Sequence, residues 1–320
     1  MKRDLITLED LSRSEIEHIF DVCKAIKQNK GLKSNKLEGK SIGLLFQKPS
    51  NRTRVSFEVG IWQLGGTCLY LGPDEINLGK RESISDVAKT LSRYLHGIVA
   101  RTHTHEDIVE LSRQATIPVI NGLSDLSHPC QALTDLFSIR EKFGHLNDLT
   151  VAYVGDGNNV CHSLMEACSK LGVNLNIATP VGYEPSIVVI NQAKMYAQES
   201  KAQINLSHSP QEAVGGVQVI YADTWISMGQ EAETAERLKL FEGFQVNNEL
   251  VKLADKNFIF MHCLPAHRGQ EVTDEVIDGK HSIIFDQAEN RLHVQKAILT
   301  FLFNPIHKLT VGDDRDRLLH

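Results

Sequence analysis

Short apolar runs rich in β-forming residues alternate with longer helical patterns, and this alternation constrains the fold more than any other feature of the chain. Strands that alternate with helices form βα units, whose strands pair in parallel and whose helices cover the sheet. We therefore expect an α/β protein built on doubly wound parallel sheets. The predicted strands lie at 42–46, 97–100, 118–120, 150–154, 175–178, 217–221, 258–261 and 282–285.

A new series of elements near residue 144 divides the chain into two domains. At 320 residues the chain exceeds the usual size of a single core. The stretch 130–143 reads as one helix that ends at Gly144, a common C-cap residue, and the next strand opens a fresh βα series. We expect two doubly wound parallel-sheet domains, 1–143 and 144–320, joined by interdomain helices. A C-terminal helix at about 292–304 is expected to pack back on the first domain.

Composition and charge exclude several classes of protein. The chain is 42% apolar and 23% charged, with 34 basic and 40 acidic residues, so nucleic acid and anionic membrane are not expected as main partners. No apolar stretch approaches the roughly 20 residues of a membrane span. Residues 1–20 are charged throughout and lack the apolar core of a signal peptide, so we expect a cytoplasmic protein, or one whose presequence has been removed.

Cysteine and histidine spacing does not favour a metal site. The six cysteines are scattered and contain no Cys-x-x-Cys pair, which argues against a disulfide scaffold and against structural zinc. His103 with His105 and His262 with Cys263 lack ligands at paired spacing. We therefore expect no bound metal.

The segment 50–54 predicts an anion site. It follows the strand at 42–46 and opens a helix whose Val55, Val59 and Trp62 share one face. A helix start presents unpaired N–H groups and the positive end of its dipole, and arginine side chains with hydroxyls suit a phosphate. The alternative is a polar helix cap followed by a solvated basic turn.

Four further clusters lie at predicted strand ends or helix starts, where doubly wound sheets place their ligands. Each cluster also has a purely structural interpretation. Arg101 could be a surface charge, and His128 could cap a helix in which Cys130 is buried. Asp223 could be an acidic helix cap, and Cys263 could be an inert buried thiol. The clusters are Arg101 with Thr102, His128 to Asp135, Asp223 to Gly229, and His262 to Gly269.

A glycine-rich turn after the strand at 150–154 invites a dinucleotide interpretation. Gly155 and Gly157 fit the fingerprint, but Val160 replaces its third glycine. Thr179 follows the next strand, where a ribose-binding acid is expected. We therefore reject nicotinamide binding.

Taken together, these motifs resemble those of the aspartate/ornithine carbamoyltransferase family, in the same order and over almost the whole chain. The segment 50–54 is similar to the family's Ser-x-Arg-Thr-Arg signature, and 128–131 to its second signature. Asp223 with 227–229, together with 262–265, resembles elements of the ornithine branch. Residues 285–291 are similar to its C-terminal signature.

The resemblance implies a role for each matching residue, with carbamoyl phosphate bound by 1–143 and ornithine by 144–320. The phosphate would contact Ser50, Asn51, Arg52 and Thr53. The carbamoyl part would contact Asn77, Arg101, His128, Gln131, Cys263, Leu264 and Arg291. Ornithine would contact Asn159, Asp223, Ser227 and Met228, and the catalytic set would be Arg101, His128, Asp223 and Cys263.

Two positions depart from the family pattern. Asn51 stands where most relatives have threonine, and its backbone N–H is retained. Asn77 stands where many relatives have the longer glutamine, which shortens its reach to the carbamoyl group from its own or a neighbouring subunit.

The implied reaction is attack of the ornithine δ-amine on the carbonyl carbon of carbamoyl phosphate, giving citrulline and phosphate. The resemblance also implies a homotrimer or an assembly of trimers, no metal or organic cofactor, and a closing loop at 226–243. The alternatives are a carbamoyltransferase for N-acetylornithine, putrescine or aspartate, and a non-catalytic relative. Arginine synthesis and arginine breakdown both stay open.

Overall fold

The first half of the chain forms a four-stranded parallel sheet in the computed structural model, which describes residues 2–28, 34–76, 78–79, 81–226 and 234–303. The strand order is β2-β1-β3-β4, and every pairing is parallel. The strands are β1 (Ser41–Phe46), β2 (Thr67–Leu71), β3 (Gly97–Arg101) and β4 (Val119–Leu123).

The second half forms a five-stranded sheet in the order β7-β6-β5-β8-β9, again parallel throughout. The strand order reverses beside the first strand of each sheet, which creates the crevice where such folds bind ligands. The strands are β5 (Thr150–Val154), β6 (Asn174–Ala178), β7 (Ile204–Ser207), β8 (Val219–Ala222) and β9 (Ile259–His262).

Helices connect the strands and cover both sheets, and several begin at a side-chain cap. Ser50 and Asn158 cap the helices that follow β1 and β5, because their side-chain oxygens accept backbone N–H groups of the first turn. The helices are α1 (Arg13–Gln28), α2 (Asn51–Gln63), α3 (Pro73–Ile76), α4 (Ile84–Tyr94), α5 (His105–Gln114), α6 (Pro129–Phe143), α7 (Asn159–Leu171), α8 (Ile187–Ser200), α9 (Pro210–Val214), α10 (Thr234–Phe241), α11 (Asn248–Val251), α12 (Asp274–Ile277) and α13 (Ile284–Phe303).

The expected α/β architecture with two parallel sheets is confirmed, with one error among the predicted strands. Residues 282–285 do not form a strand: Ser282 makes a single bridge to Phe260, and α13 begins at Ile284. The sequence patterns also missed the outer strands β2 and β7.

Two long helices, α6 and α13, join the halves of the molecule, and α6 packs against both β4 and α7. α13 packs against α1, α2 and α6, and it also contacts β9. One buried apolar cluster accordingly contains Leu44 of the first sheet, Val151 of the second and Val294 of α13. Among the residues that the structure describes, no helix is long and apolar enough to cross a membrane.

Candidate active site

A cleft of about 1310 Å³ lies at the carboxyl ends of both sheets. The turn after β1 and the end of β3 form one wall, and the loops after β5, β8 and β9 form the other. α13 contributes Arg291 from behind. Both halves of the chain are therefore needed to form this cavity.

The amino end of α2 forms the cationic part of the cleft. Ser50 caps the helix by accepting the Thr53 N–H at 3.4 Å, and its hydroxyl lies 3.1 Å from Thr53 Oγ1. Arg291 Nη2 donates to the same Thr53 oxygen at 3.1 Å. Arg52 lines the cleft beside them, whereas Arg54 pairs with Glu58 outside it. The helix dipole and the cationic side chains therefore act on the same small volume.

Two buried arginines and a buried histidine crowd behind the helix start. Burial lowers the pKa of Arg101 to about 10, and the nearby charges of Arg291 and Arg52 contribute to the same shift. Burial, followed by Arg291 and Arg101, holds the pKa of His128 well below its usual value, so this imidazole is neutral at physiological pH. An anion in the cleft would compensate this concentration of positive charge.

Several polar atoms in this wall have no hydrogen-bond partner among the described residues. They are Nε of Arg101, Nε of Arg291, Nδ1 of His128 and Oε1 of Gln131. Buried polar atoms in native proteins are nearly always paired, so a group of orphans around one cavity indicates a polar ligand.

The opposite wall centres on the Asp223 carboxylate. Cys263 Sγ donates to Asp223 Oδ1 at 2.9 Å, and Asn158 Nδ2 donates to Asp223 Oδ2 at 2.7 Å. Burial, followed by the nearby Asp223 charge, holds the pKa of the Cys263 thiol well above its usual value. Cys263 is therefore a protonated hydrogen-bond donor in this geometry.

The same wall contains the one group of possible metal ligands found in the described part of the chain, and its geometry does not favour an ion. Ligand atoms of Asp223, His262 and Cys263 lie within 4.8 Å of one another. His262 Nδ1 already accepts the Leu264 N–H at 2.9 Å, and Nε2 lies 3.2 Å from Glu271 Oε1. Neither ring nitrogen therefore offers a free lone pair in this arrangement.

Family profiles match both halves of the chain. Residues 3–141 match the profile described as aspartate/ornithine carbamoyltransferase, carbamoyl-P binding domain. Residues 147–302 match the profile described as the Asp/Orn binding domain of the same enzymes. The chain belongs to the aspartate/ornithine carbamoyltransferase family. The expected family membership is thereby confirmed.

Relatives of known name in the aspartate/ornithine carbamoyltransferase family match over nearly their full length. The ornithine carbamoyltransferase of Thermococcus kodakarensis is 55% identical over 306 residues, which are 95% of this chain and 97% of the relative. The solved ornithine carbamoyltransferase from Pyrococcus furiosus is 53% identical with a TM-score of 0.93, covering 95% of this chain and 98% of that one. The solved anabolic enzyme from Campylobacter jejuni is 37% identical with a TM-score of 0.90, covering 95% and 99%.

The structure brings most of the sequence-predicted site residues of this family member to the cleft. Asn77, Ser227 and Met228 lie outside the described residues, as do residues 227–233 of the proposed closing loop at 226–243. Asn159 lines the cleft, and its Nδ2 donates a hydrogen bond to the backbone oxygen of Ser124 at 2.5 Å. The residues placed around the cleft are Ser50, Asn51, Arg52, Thr53, Arg101, His128, Gln131, Asn159, Asp223, Cys263, Leu264 and Arg291.

Leu264 takes an unusual backbone conformation at this site. Its φ of 58° lies in the left-handed region, which is rare for a residue with a branched side chain. Such strain persists where surrounding contacts impose it, and it is frequent at functional sites. The His262 side chain supplies one of those contacts by accepting the Leu264 N–H.

Sequence reasoning missed three polar groups of the site. Asn158 supports Asp223, while Arg237 donates to Asp156 at 2.8 Å and to Trp225 O at 2.9 Å beside the cleft. Asp135 holds Gln131 from behind. Asn158 carried a signal, since it follows a glycine-rich turn and caps α7. Asp135 stands in the cluster that begins at His128, but the sequence assigned it no role.

Proposed function

We propose that the chain is an ornithine carbamoyltransferase, which transfers the carbamoyl group of carbamoyl phosphate to the δ-amine of L-ornithine to give L-citrulline and phosphate. One observation carries the proposal: a cationic pocket with unpaired donors faces a buried carboxylate across a single cleft. An anionic acyl donor fits the first wall, and an amine fits the second.

The first wall suits carbamoyl phosphate. Ser50, Asn51, Arg52 and Thr53 at the start of α2 would bind the phosphate through backbone N–H groups, hydroxyls and the guanidinium. Arg101 and a neutral His128, each with an unpaired nitrogen, would stabilise the oxyanion that forms on the carbonyl oxygen. Arg291 would hold Thr53 in place and share the phosphate charge.

The second wall suits the attacking amine. A primary amine has a pKa of about 10.4, so presenting it neutral at pH 7 costs on the order of 4–5 kcal/mol. Because the Cys263 thiol is protonated and donates to Asp223, it does not serve as the base. We propose that Asp223 orients the amine and that Cys263 and Asn158 hold Asp223 in position. Asn159, Ser227 and Met228 would bind the amino acid end of ornithine.

The assembly, location and metabolic direction of the protein stay predictions. We expect a homotrimer or an assembly of trimers in the cytoplasm, with Asn77 supplied to a site by its own or a neighbouring subunit. The anabolic enzymes among the named relatives favour arginine synthesis as the metabolic direction.

The deciding experiment is a transfer assay with carbamoyl phosphate and four amines in parallel. Ornithine, N-acetylornithine, putrescine and aspartate are each measured through their own carbamoylated product. We expect turnover with ornithine alone. Turnover with another amine would be consistent with the phosphate site but would contradict the assignment of the second wall to ornithine. Binding of carbamoyl phosphate without any turnover would indicate a non-catalytic relative.

A further inference from the structure

A buried polar network lies behind the cleft and centres on Asp135 of α6. Its Oδ1 accepts hydrogen bonds from Gln131 Nε2 at 2.8 Å and from Gln287 Nε2 at 2.7 Å. Gln287 belongs to α13, and its Oε1 accepts the backbone N–H of His262 at 3.0 Å. The network therefore connects Gln131 in the first wall with the β9 end in the second.

This network determines which end of the Gln131 amide is available to a ligand. A carboxylate only accepts hydrogen bonds, so the side-chain amides of Gln131 and Gln287 must both present N–H to Asp135. Gln131 Oε1 is consequently left buried and without a partner in the described part of the chain, in a residue that lines the cleft. An unpaired carbonyl oxygen at this position calls for a ligand that donates a hydrogen bond.

We propose that Asp135 is a positioning residue for carbamoyl recognition: it orients Gln131 so that Oε1 accepts a hydrogen bond from the carbamoyl –NH2 group. The inference rests on the proposed function and specifies how the site distinguishes a carbamoyl phosphate from an acyl phosphate. Acetyl phosphate has the same phosphate and carbonyl, but a methyl group replaces the –NH2. A site built to pair a polar group discriminates strongly against the analogue that lacks it.

This role requires an acceptor oxygen on Asp135, and it does not require a negative charge. Burial raises the pKa of Asp135 to about 7, although hydrogen bonds from Gln131, Gln287 and Tyr221 lower it. Both amides donate to Oδ1, so a proton on the other oxygen leaves their acceptor in place. Asparagine offers the same acceptor oxygen, and leucine offers none.

The test measures dissociation constants of carbamoyl phosphate and acetyl phosphate with the full-length protein. In Asp135→Leu we expect affinity for carbamoyl phosphate to fall by about 10- to 100-fold, with acetyl phosphate within about threefold of the wild type. Asp135→Asn is expected to retain the wild-type preference. Ser138→Ala, one turn further along α6, is the packing control and is expected to leave both affinities unchanged.

Four other outcomes of the binding measurements overturn the inference. Equal weakening of both ligands in Asp135→Leu would show a structural role, and an unchanged preference would show no role. Loss of preference in Asp135→Asn would assign the effect to charge. A wild-type protein that binds both phosphates equally would overturn the inference as well, whereas a retained preference without ornithine turnover would overturn only the proposed function.

A crystal structure with phosphonoacetamide, a stable analogue that carries both an amide and a phosphonate, does not depend on the folding of any variant. We expect the ligand amide nitrogen within about 3.2 Å of Gln131 Oε1, with Gln131 Nε2 still on Asp135. A ligand amide that contacts other groups and leaves Gln131 Oε1 unpaired would overturn the inference.

Discussion

At the scale of single residues, the position of each arginine decides what it can bind. Arg52 lines the cleft at the start of α2. Arg54, two residues later, pairs with Glu58 at 2.9 Å and stacks over the Tyr70 ring at 3.8 Å.

We expect Arg52→Ala to weaken carbamoyl phosphate binding by at least about 100-fold in calorimetry, because charge-assisted bonds to phosphate are lost. Arg54→Ala is the matched control, expected within about threefold of the wild type, and a near-normal constant for Arg52→Ala would contradict the assignment.

The protonation state of Cys263 leads to a second prediction at this scale. Activity should rise between about pH 7 and 9 because the ornithine amine, whose pKa is about 10.4, loses its proton over that range. Since burial and Asp223 raise the pKa of Cys263, its thiol stays protonated there. We expect Cys263→Ser to retain the rise, with kcat lowered by no more than about tenfold, in initial rates measured across this range. A flat profile in the serine variant would instead identify Cys263 as the base.

Sequence motifs identified the residues that line the cleft better than the residues that hold them in position. Arg101 and Asp223 were predictable because each stands at the end of an apolar run, where parallel strands expose side chains to a cleft. The contact between Asp135 and Gln287 joins positions 152 residues apart, and nothing local in the sequence marks it. Supporting contacts of this kind depend on how helices from two domains pack.

At the scale of elements, the end of α6 offers a test of local conformation. Gly144 has a φ of 81°, and a side chain there would meet no atom within 4 Å. Gly144→Ala therefore isolates the backbone cost of the left-handed conformation, and we expect a loss of about 1 kcal/mol in the free energy of unfolding measured with urea. Gly215→Ala, at a φ of −55°, is expected to cause no loss and to stabilise by up to about 1 kcal/mol. Equal effects in the two variants would contradict the assignment of Gly144 as a conformational cap.

Errors in element prediction followed from burial. Buried central strands such as β1 and β5 form continuous apolar runs, whereas β2 and β7 are partly exposed edge strands with mixed sequences, which the apolar pattern did not identify. The run at 282–285 contains buried Ile283 and Ile284, yet it leads into α13. Three consecutive apolar residues do not distinguish a strand from the first turn of a buried helix.

At the scale of the whole molecule, an apolar surface on the first domain is exposed in the single chain. Val55, Val59 and Trp62 share one face of α2, as the sequence predicts, but they are 54%, 37% and 58% exposed. Leu69 on the adjacent outer strand β2 is 51% exposed. Clustered apolar side chains of this kind are typical of a surface that another protein covers, and the predicted trimer would supply that partner.

We expect Trp62→Glu to dissociate the predicted trimer, because a charge would have to be buried without a partner if this face is a subunit contact. Light scattering should give about three times the mass of one chain for the wild type and a smaller mass for the variant. Citrulline formation should fall by at least about tenfold if a neighbouring subunit completes each site. Val188→Glu, at an exposed apolar position of α8, is the control and should retain both properties. An unchanged mass in Trp62→Glu would show that this face is not a subunit contact. A fully active monomer would show that each chain forms a complete site alone.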